Sequence, residues 1–289
     1  MRFIEINLCG GLGNQLFQYA TARAIMKNND ILLLDLNSYA DDYLGRQFSL
    51  YNYKIRGTVI GSKKLKKIFT PNTKVNLFLN RLGLFAHIEE KGFFVHKEIR
   101  HQFKLINRMQ GFWQSEDYFK EIREDLLSEI VPIETPQLPS IFKQANTVAV
   151  HVRRTDYLSN NRYGFLGEEY YRSAIRFIRQ KIANPVFIIF SDDIDWCKQV
   201  FGNEAILLSE DLNWQQDYLQ LYLMSRCSHQ IVANSSYSWW AAWLNTNENK
   251  IVLRPETPFK DPSLLYEEHY PKEWITIPNE SIKFLPETR

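Results

Sequence analysis

Short apolar runs alternating with stretches of helical periodicity set the plan of this chain. Residues 3–8 read as a buried strand, residues 14–28 as a helix with small and apolar side chains on one face, and residues 31–34 as a second buried strand. Between Asp35 and Lys104 the pattern weakens into loops and short helices, one of them basic. Residues 115–129 form a helix candidate, and the proline-marked segment 132–139 reads as a linker. Beyond it the alternation is regular. Strands at 147–151, 186–190, 205–208 and 230–233 are separated and followed by helices at 167–182, 192–201, 214–225 and 235–245. Strands this short, each followed by a helix, signify parallel sheet with helices on both faces. The expected fold class is α/β, with two Rossmann-like domains, residues 1–140 and 141–289, facing a cleft.

Composition narrows the class. The chain has 289 residues, 45% hydrophobic and 24% charged, the mix of a soluble globular protein with ample core. A net charge of +2 argues against a general nucleic-acid binder. Cys9, Cys197 and Cys227 are scattered, with no Cys-x-x-Cys or Cys/His spacing, and read as reduced core thiols without structural zinc. No apolar stretch approaches the roughly 18 residues of a membrane span, and the first residues lack the apolar region of a signal peptide. A cytoplasmic enzyme is expected. Lys63-Lys-Leu-Lys-Lys67 reads first as a solvated helix face. Its second reading is peripheral contact with an anionic membrane, each basic residue adding about 1 kcal/mol.

Three clusters follow strands and carry chemistry. His151-Val-Arg-Arg-Thr-Asp-Tyr-Leu158 places two arginines, a histidine and an aspartate at a strand mouth, where open α/β sheets bind ligands. The arginine fork matches phosphate oxygens; the alternative is a structural ion pair of Arg154 with Asp156. Gly10-Gly-Leu-Gly-Asn-Gln-Leu-Phe-Gln-Tyr-Ala20 opens a helix after a strand, so free backbone N–H groups, with Asn14 and Gln15 as amide donors, could hold an anion or a sugar hydroxyl. Leu16 stands where a dinucleotide fingerprint needs its third glycine, and Asp35 alone keeps a cofactor-dependent oxidoreductase open. A tight turn needing glycine for packing is the plain alternative.

Phe190-Ser-Asp-Asp-Ile-Asp195 follows the next strand, with Ser191 as a plausible N-cap and the aspartates in the first helical turn. Asp193 and Asp195 could hold a divalent metal against a diphosphate. Alternatively, one carboxylate could accept the paired N–H donors of guanine. Asn234-Ser-Ser-Tyr-Ser-Trp-Trp-Ala-Ala-Trp-Leu244 offers hydroxyls at a helix start. Its adjacent tryptophans point about 100° apart and suit a core better than one sugar platform.

These blocks, together with Gly111-Phe-Trp-Gln-Ser-Glu-Asp-Tyr-Phe119, closely resemble bacterial α-1,2-fucosyltransferases, glycosyltransferase family eleven. The resemblance spans roughly residues 5 to 255 and weakens between Asp35 and Lys104 and in the C-terminal tail. It implies a GT-B type fold and galactoside 2-alpha-L-fucosyltransferase activity: inverting, metal-independent transfer from GDP-L-fucose to O2 of a terminal galactose, with no cofactor. The acceptor would be a β-galactoside oligosaccharide, lipid-linked if the enzyme builds O-antigen at the cytosolic face of a bacterial inner membrane. Matched by motif, His151 and Arg153 fall at the donor nucleotide, with Arg153 on the β-phosphate. Asp193 reads guanine, Ser235 and Ser236 hold phosphate, and Asn14 reaches the diphosphate or fucose. α-1,6 relatives carry a glutamate five residues beyond the motif aspartate; Asn161 stands here, which leaves Asp156 as the nearest candidate base. Two other classes stay open: a metal-dependent sugar-nucleotide transferase using Asp193 and Asp195, and a non-catalytic nucleotide- or glycan-binding protein.

Overall fold

The computed structural model of the protein describes residues 1–39, 46–60, 67–70, 72–90, 103–207, 216–264 and 267–279. The chain divides into two compact units, Met1–Ile133 and Glu134–Arg289. Each is built on a parallel sheet, the organisation implied for a GT-B type chain. Among the described residues no helix is long and apolar enough to cross a membrane.

In the first unit, β1 (Phe3–Asn7), β2 (Ile31–Asp35), β3 (Thr58–Val59), β4 (Phe85–Glu89) and β5 (Ile106–Gln110) form a parallel sheet in the order β3-β2-β1-β5-β4. Helices α1 (Leu12–Ala24), α2 (Lys74–Arg81) and α3 (Arg123–Glu129) accompany them. Strands β4 and β5 fall in or beside the weakly patterned stretch and carry no clear strand signal, because their polar residues are satisfied by tertiary partners. Asn107 is fully buried; its Nδ2 donates to the carbonyls of Phe3 (3.1 Å) and Lys104 (2.8 Å), and its Oδ1 accepts from Lys104 N–H (2.7 Å). Arg108, opposite Glu5 in register, lies 3.8 Å from that carboxylate and 4.0 Å from Asp35. The helix expected over residues 115–129 is broken: two 3₁₀ turns precede α3. The basic cluster falls almost entirely outside the described residues, Lys67 excepted.

The second unit follows the predicted alternation closely. Strands β6 (Thr147–Val152), β7 (Val186–Ser191), β8 (Ile206–Leu207), β9 (His229–Ile231), β10 (Val252–Pro255) and β11 (Ile275–Ile277) pair in parallel in the order β11-β10-β9-β6-β7-β8. Helices α4 (Glu168–Lys181), α5 (Ile194–Phe201), α6 (Asp217–Arg226) and α7 (Ser236–Leu244) connect or follow them. Every residue of β6 is buried, as a strand covered on both faces requires. α4 turns Tyr170, Tyr171, Ala174, Ile175 and Ile178 to the core, with Glu168 and Glu169 in its first turn and Arg179 and Lys181 in its last, matching the helix dipole. Tyr170 donates to the carbonyl of Val232 (2.6 Å), so its hydroxyl is not left unpaired in the core. In α7 Trp239, Trp240 and Trp243 are all buried, which bears out the core reading.

Candidate functional site

The order of the second sheet decides where its strand-end residues meet. From β6 the chain runs outward through β7 and β8, then returns to lay β9 on the opposite flank of β6. The ends of β6 and β9 therefore flank a topological switch point, the usual ligand crevice of an open parallel sheet. His151 is the penultimate residue of β6, and Arg153 follows it directly. Asp156 sits in the 3₁₀ turn Thr155–Tyr157. Asp193 is the N-cap of α5, Ser235 the N-cap of α7, and Ser236 the first residue of α7. Strands β9, β6 and β7 are neighbours, so these residues share one sheet edge. The ring of His151 lies 5.4 Å from that of Tyr237, a contact across the switch point. Asn14, by contrast, belongs to the first unit, in the first turn of α1.

The two adjacent arginines have separate partners. Arg153 Nη2 lies 2.7 Å from Asp156 Oδ1 and Nη1 lies 3.1 Å from Asp192 Oδ2, with its guanidinium 5.6 Å from the Tyr157 ring centre. Arg154 Nε donates to Asp193 Oδ2 at 2.9 Å, and its guanidinium packs on Trp196 (4.3 Å) and Phe165 (4.9 Å). The alternative reading of an Arg154–Asp156 ion pair is thus corrected: Asp156 partners Arg153, and Arg154 pairs with Asp193. Burial works against the Arg153 charge, but the hydrogen bond to Asp156 and the field of Asp192 outweigh it and hold the group firmly cationic. Burial, with Arg153 beside it, pushes the His151 imidazole down to about 3, so His151 is neutral at any working pH; its Nδ1 is buried with no hydrogen-bond partner among the described residues.

The cap of α5 is shifted from expectation. Ser191 Oγ accepts from the N–H of Asp193 (2.9 Å), while Asp193 Oδ1 caps the helix by accepting from Trp196 N–H (3.1 Å). Asp192 bonds the N–H of Arg154 (2.9 Å) and the hydroxyl of Thr155 (2.6 Å), which locks the turn carrying Arg153 onto the end of β7. Sequence reasoning treated Asp192 as a first-turn acid only. Asp193 is engaged by Arg154 and the helix start, whereas Asp195 is exposed. Among the described residues no group of three His, Cys, Asp or Glu side chains could hold a metal ion.

In the first unit, α1 opens at Gly10 and Gly11, and Gly10 takes φ +77°. Gln15, expected as a ligand donor, is instead fully buried. Its Nε2 donates to the carbonyls of Gly10 (3.1 Å) and Gln47 (2.8 Å), and its Oε1 accepts from Ser49 N–H (2.9 Å). Asp35 is also buried, bonded to Asn37 and close to Arg108, so it offers no ribose contact and the oxidoreductase reading lapses.

The sequence profile of Glycosyl transferase family 11 matches residues 4–278. The chain belongs to this family. The family 11 glycosyltransferase is 36% identical over 292 residues to an Alpha-1,2-colitosyltransferase of Escherichia coli, with 96% of this chain and 99% of that one covered. It is 32% identical over 287 residues to the O-antigen biosynthesis glycosyltransferase WbnK of Escherichia coli, covering 87% and 93%. Galactoside alpha-(1,2)-fucosyltransferase 1 of Homo sapiens aligns at 23% over 295 residues, covering 93% and 73%. Among solved structures, an Arabidopsis thaliana FUT1 mutant in complex with GDP aligns with a TM-score of 0.49 at 10% identity, covering 95% of this chain and 76% of that one.

Proposed function

We propose that this glycosyltransferase transfers L-fucose, with inversion, from GDP-β-L-fucose to O2 of a terminal galactose, without a metal. The observation that carries the reading is the convergence of Arg153, His151, Ser235 and Ser236 at the β6/β9 switch point of a family 11 chain. Breaking the C1–O bond leaves positive charge on the sugar and an added negative charge on GDP. Arg153, the Ser235 and Ser236 hydroxyls and the start of α7 supply fixed positive poles for that leaving diphosphate. Asp156 enters by orienting Arg153. Asp193, held by Arg154 and the α5 cap, keeps a second lone pair on each oxygen for the paired donors of guanine. Asn14, matched by motif, is a further contact for the donor. The likeness to the O-antigen biosynthesis glycosyltransferase WbnK supports a role in O-antigen synthesis; a lipid-linked acceptor at the cytosolic face of a bacterial membrane is part of the same proposal.

A second reading, colitosyl transfer, is favoured by the 36% identity to the colitosyltransferase. Colitose is fucose without its 3-hydroxyl. A site built to hydrogen-bond a hydroxyl rejects the analogue lacking it by about 10⁴-fold or more, whereas apolar discrimination reaches only about 10². Acceptor-dependent GDP release should be compared for GDP-fucose and GDP-colitose over a panel of β-galactosides. A higher kcat/KM with GDP-fucose supports the first reading; preference for GDP-colitose transfers the assignment to the second. GDP binding without release from either donor would leave a non-catalytic protein.

A further inference from the structure

We propose that Gln114 is a positioning residue that fixes which end of the Asn14 carboxamide is presented to the ligand. This role rests on the reading of Asn14 as a donor-substrate contact. The first sheet repeats the logic of the second: the chain runs from β1 outward through β2 and β3, then places β5 on the other flank of β1. The loops after β1 and β5 thus flank this sheet's own switch point. Across it, Gln114 Nε2 donates to Asn14 Oδ1 at 2.8 Å, joining residues 100 apart in sequence. Gly10 takes φ +77°, which favours glycine, and a Cβ there would lie 2.6 Å from Asn14 Nδ2 and displace the carboxamide from that turn. A primary amide can turn end for end with little change of shape, so its partners decide its direction. With Oδ1 accepting from Gln114, the NH₂ end of Asn14 is set as a donor. Donation suits a diphosphate oxygen or sugar hydroxyl, and a carbonyl in its place would repel the diphosphate.

The loop that carries Gln114 is built to hold this position. Trp113 takes φ +57°, a left-handed conformation that a bulky side chain adopts only when its surroundings impose it. The Glu90 carboxylate imposes it from one side, accepting from the N–H groups of Phe112 (2.6 Å) and Trp113 (3.0 Å). Gln18 adds a bond from Nε2 to the carbonyl of Gly111 (3.1 Å), and a Cβ on Gly111 would meet Glu90 at 2.5 Å. The Trp113 ring is buried edge-on against Tyr118 at 5.4 Å. Strain at one residue, tethered on both sides, places the next side chain against Asn14.

Gln114→Glu isolates the claim, because glutamate has the same shape yet can only accept at neutral pH. It should turn Asn14 round and place a negative charge beside the anionic donor. The test is steady-state kinetics on the full chain with sugar nucleotide varied at saturating acceptor, with Tm measured alongside. Gln114→Glu should lower kcat/KM for the donor by roughly tenfold or more, leaving the acceptor KM and Tm near wild type. In an Asn14→Ala background Gln114→Ala, which adds no charge, should cost less than about twofold. Gln114→Ala, which removes the orienting bond without adding charge, gives a second readout should the glutamate variant fold poorly, with a smaller donor-specific loss expected. Wild-type donor kinetics in both Gln114 variants, or an equal loss with and without Asn14, would overturn the role while leaving the transferase reading intact. A folded wild-type protein with no sugar-nucleotide turnover would remove that reading and this role with it.

Discussion

Adjacent arginines in one motif have opposite duties because the backbone leaving β6 sends successive side chains to opposite sides. Arg153 faces the strand-end edge with Asp156 and Asp192, whereas Arg154 is packed between Phe165 and Trp196 and tied to Asp193. The substitutions should therefore separate. Arg153→Ala should lower kcat by about 10²–10³ with little change in unfolding free energy. Arg154→Ala loses a half-buried ion pair and two aromatic contacts and should lose about 2 kcal/mol in urea unfolding. Equal loss of stability in both variants would contradict this division. At this scale the sequence disclosed residue types but not partners. Asp156 lies two residues from Arg154 and three from Arg153, and only the 3₁₀ turn selects the latter. Likewise Ser191 and Asp193 both have cap chemistry, and the extra residues before α5 decide between them.

Elements were legible wherever burial, rather than pairing, satisfied the side chains. Strands β6 and β7 are apolar runs covered on both faces, and the α7 tryptophans enter the core as their angular spacing demands. Strands β4 and β5 were hidden because residues such as Asn107 and Arg108 read as loop until their partners on β1 and β2 are in place. That seam carries its own prediction. Burial pushes the Glu5 carboxyl well above the usual range against the pull of Arg108, with the Asp35 carboxylate adding to the rise. A carboxyl raised on folding stabilises at low pH and loses that contribution as pH rises through its folded value. Glu5→Gln, which mimics the protonated acid, should gain stability relative to wild type as pH rises from 5 to 8 in urea unfolding. A pH-independent loss would instead mean that Glu5 is ionised and paired with Arg108.

Across the whole molecule the buried histidines set the acid response. Burial, reinforced by a neighbouring arginine, pushes His151 and His269 each down to about 3. The unfolded chain binds protons at these residues below about pH 6.5 that the folded chain refuses, so stability falls as pH falls, by about 1.4 kcal/mol per unit for each histidine. Glu5 runs the other way between about pH 4.5 and its raised folded value, and His229, also pushed down by burial, adds to the fall, so at least one histidine's worth remains uncompensated. Unfolding free energy should therefore drop by about 1.4 kcal/mol or more between pH 5.5 and 4.5. A flat or rising profile would show that these imidazoles are not held neutral. At the same scale, the alternation of strands and helices disclosed two parallel sheets, but not the strand orders. Those orders create the two switch points: β6 against β9 for the arginine cluster, and β1 against β5 for Asn14 and Gln114.

The central claim is that Arg153, at the β6/β9 edge, stabilises the departing nucleoside diphosphate of a metal-independent sugar transfer. Acceptor-dependent GDP release from GDP-fucose, in excess chelator, by wild type and by folded Arg153→Ala tests it most directly. The account predicts steady release by the wild type, independent of added divalent metal, and a loss of about 10²–10³ in the variant. Release that appears only when metal is restored, or near-normal turnover by the folded variant, would contradict it.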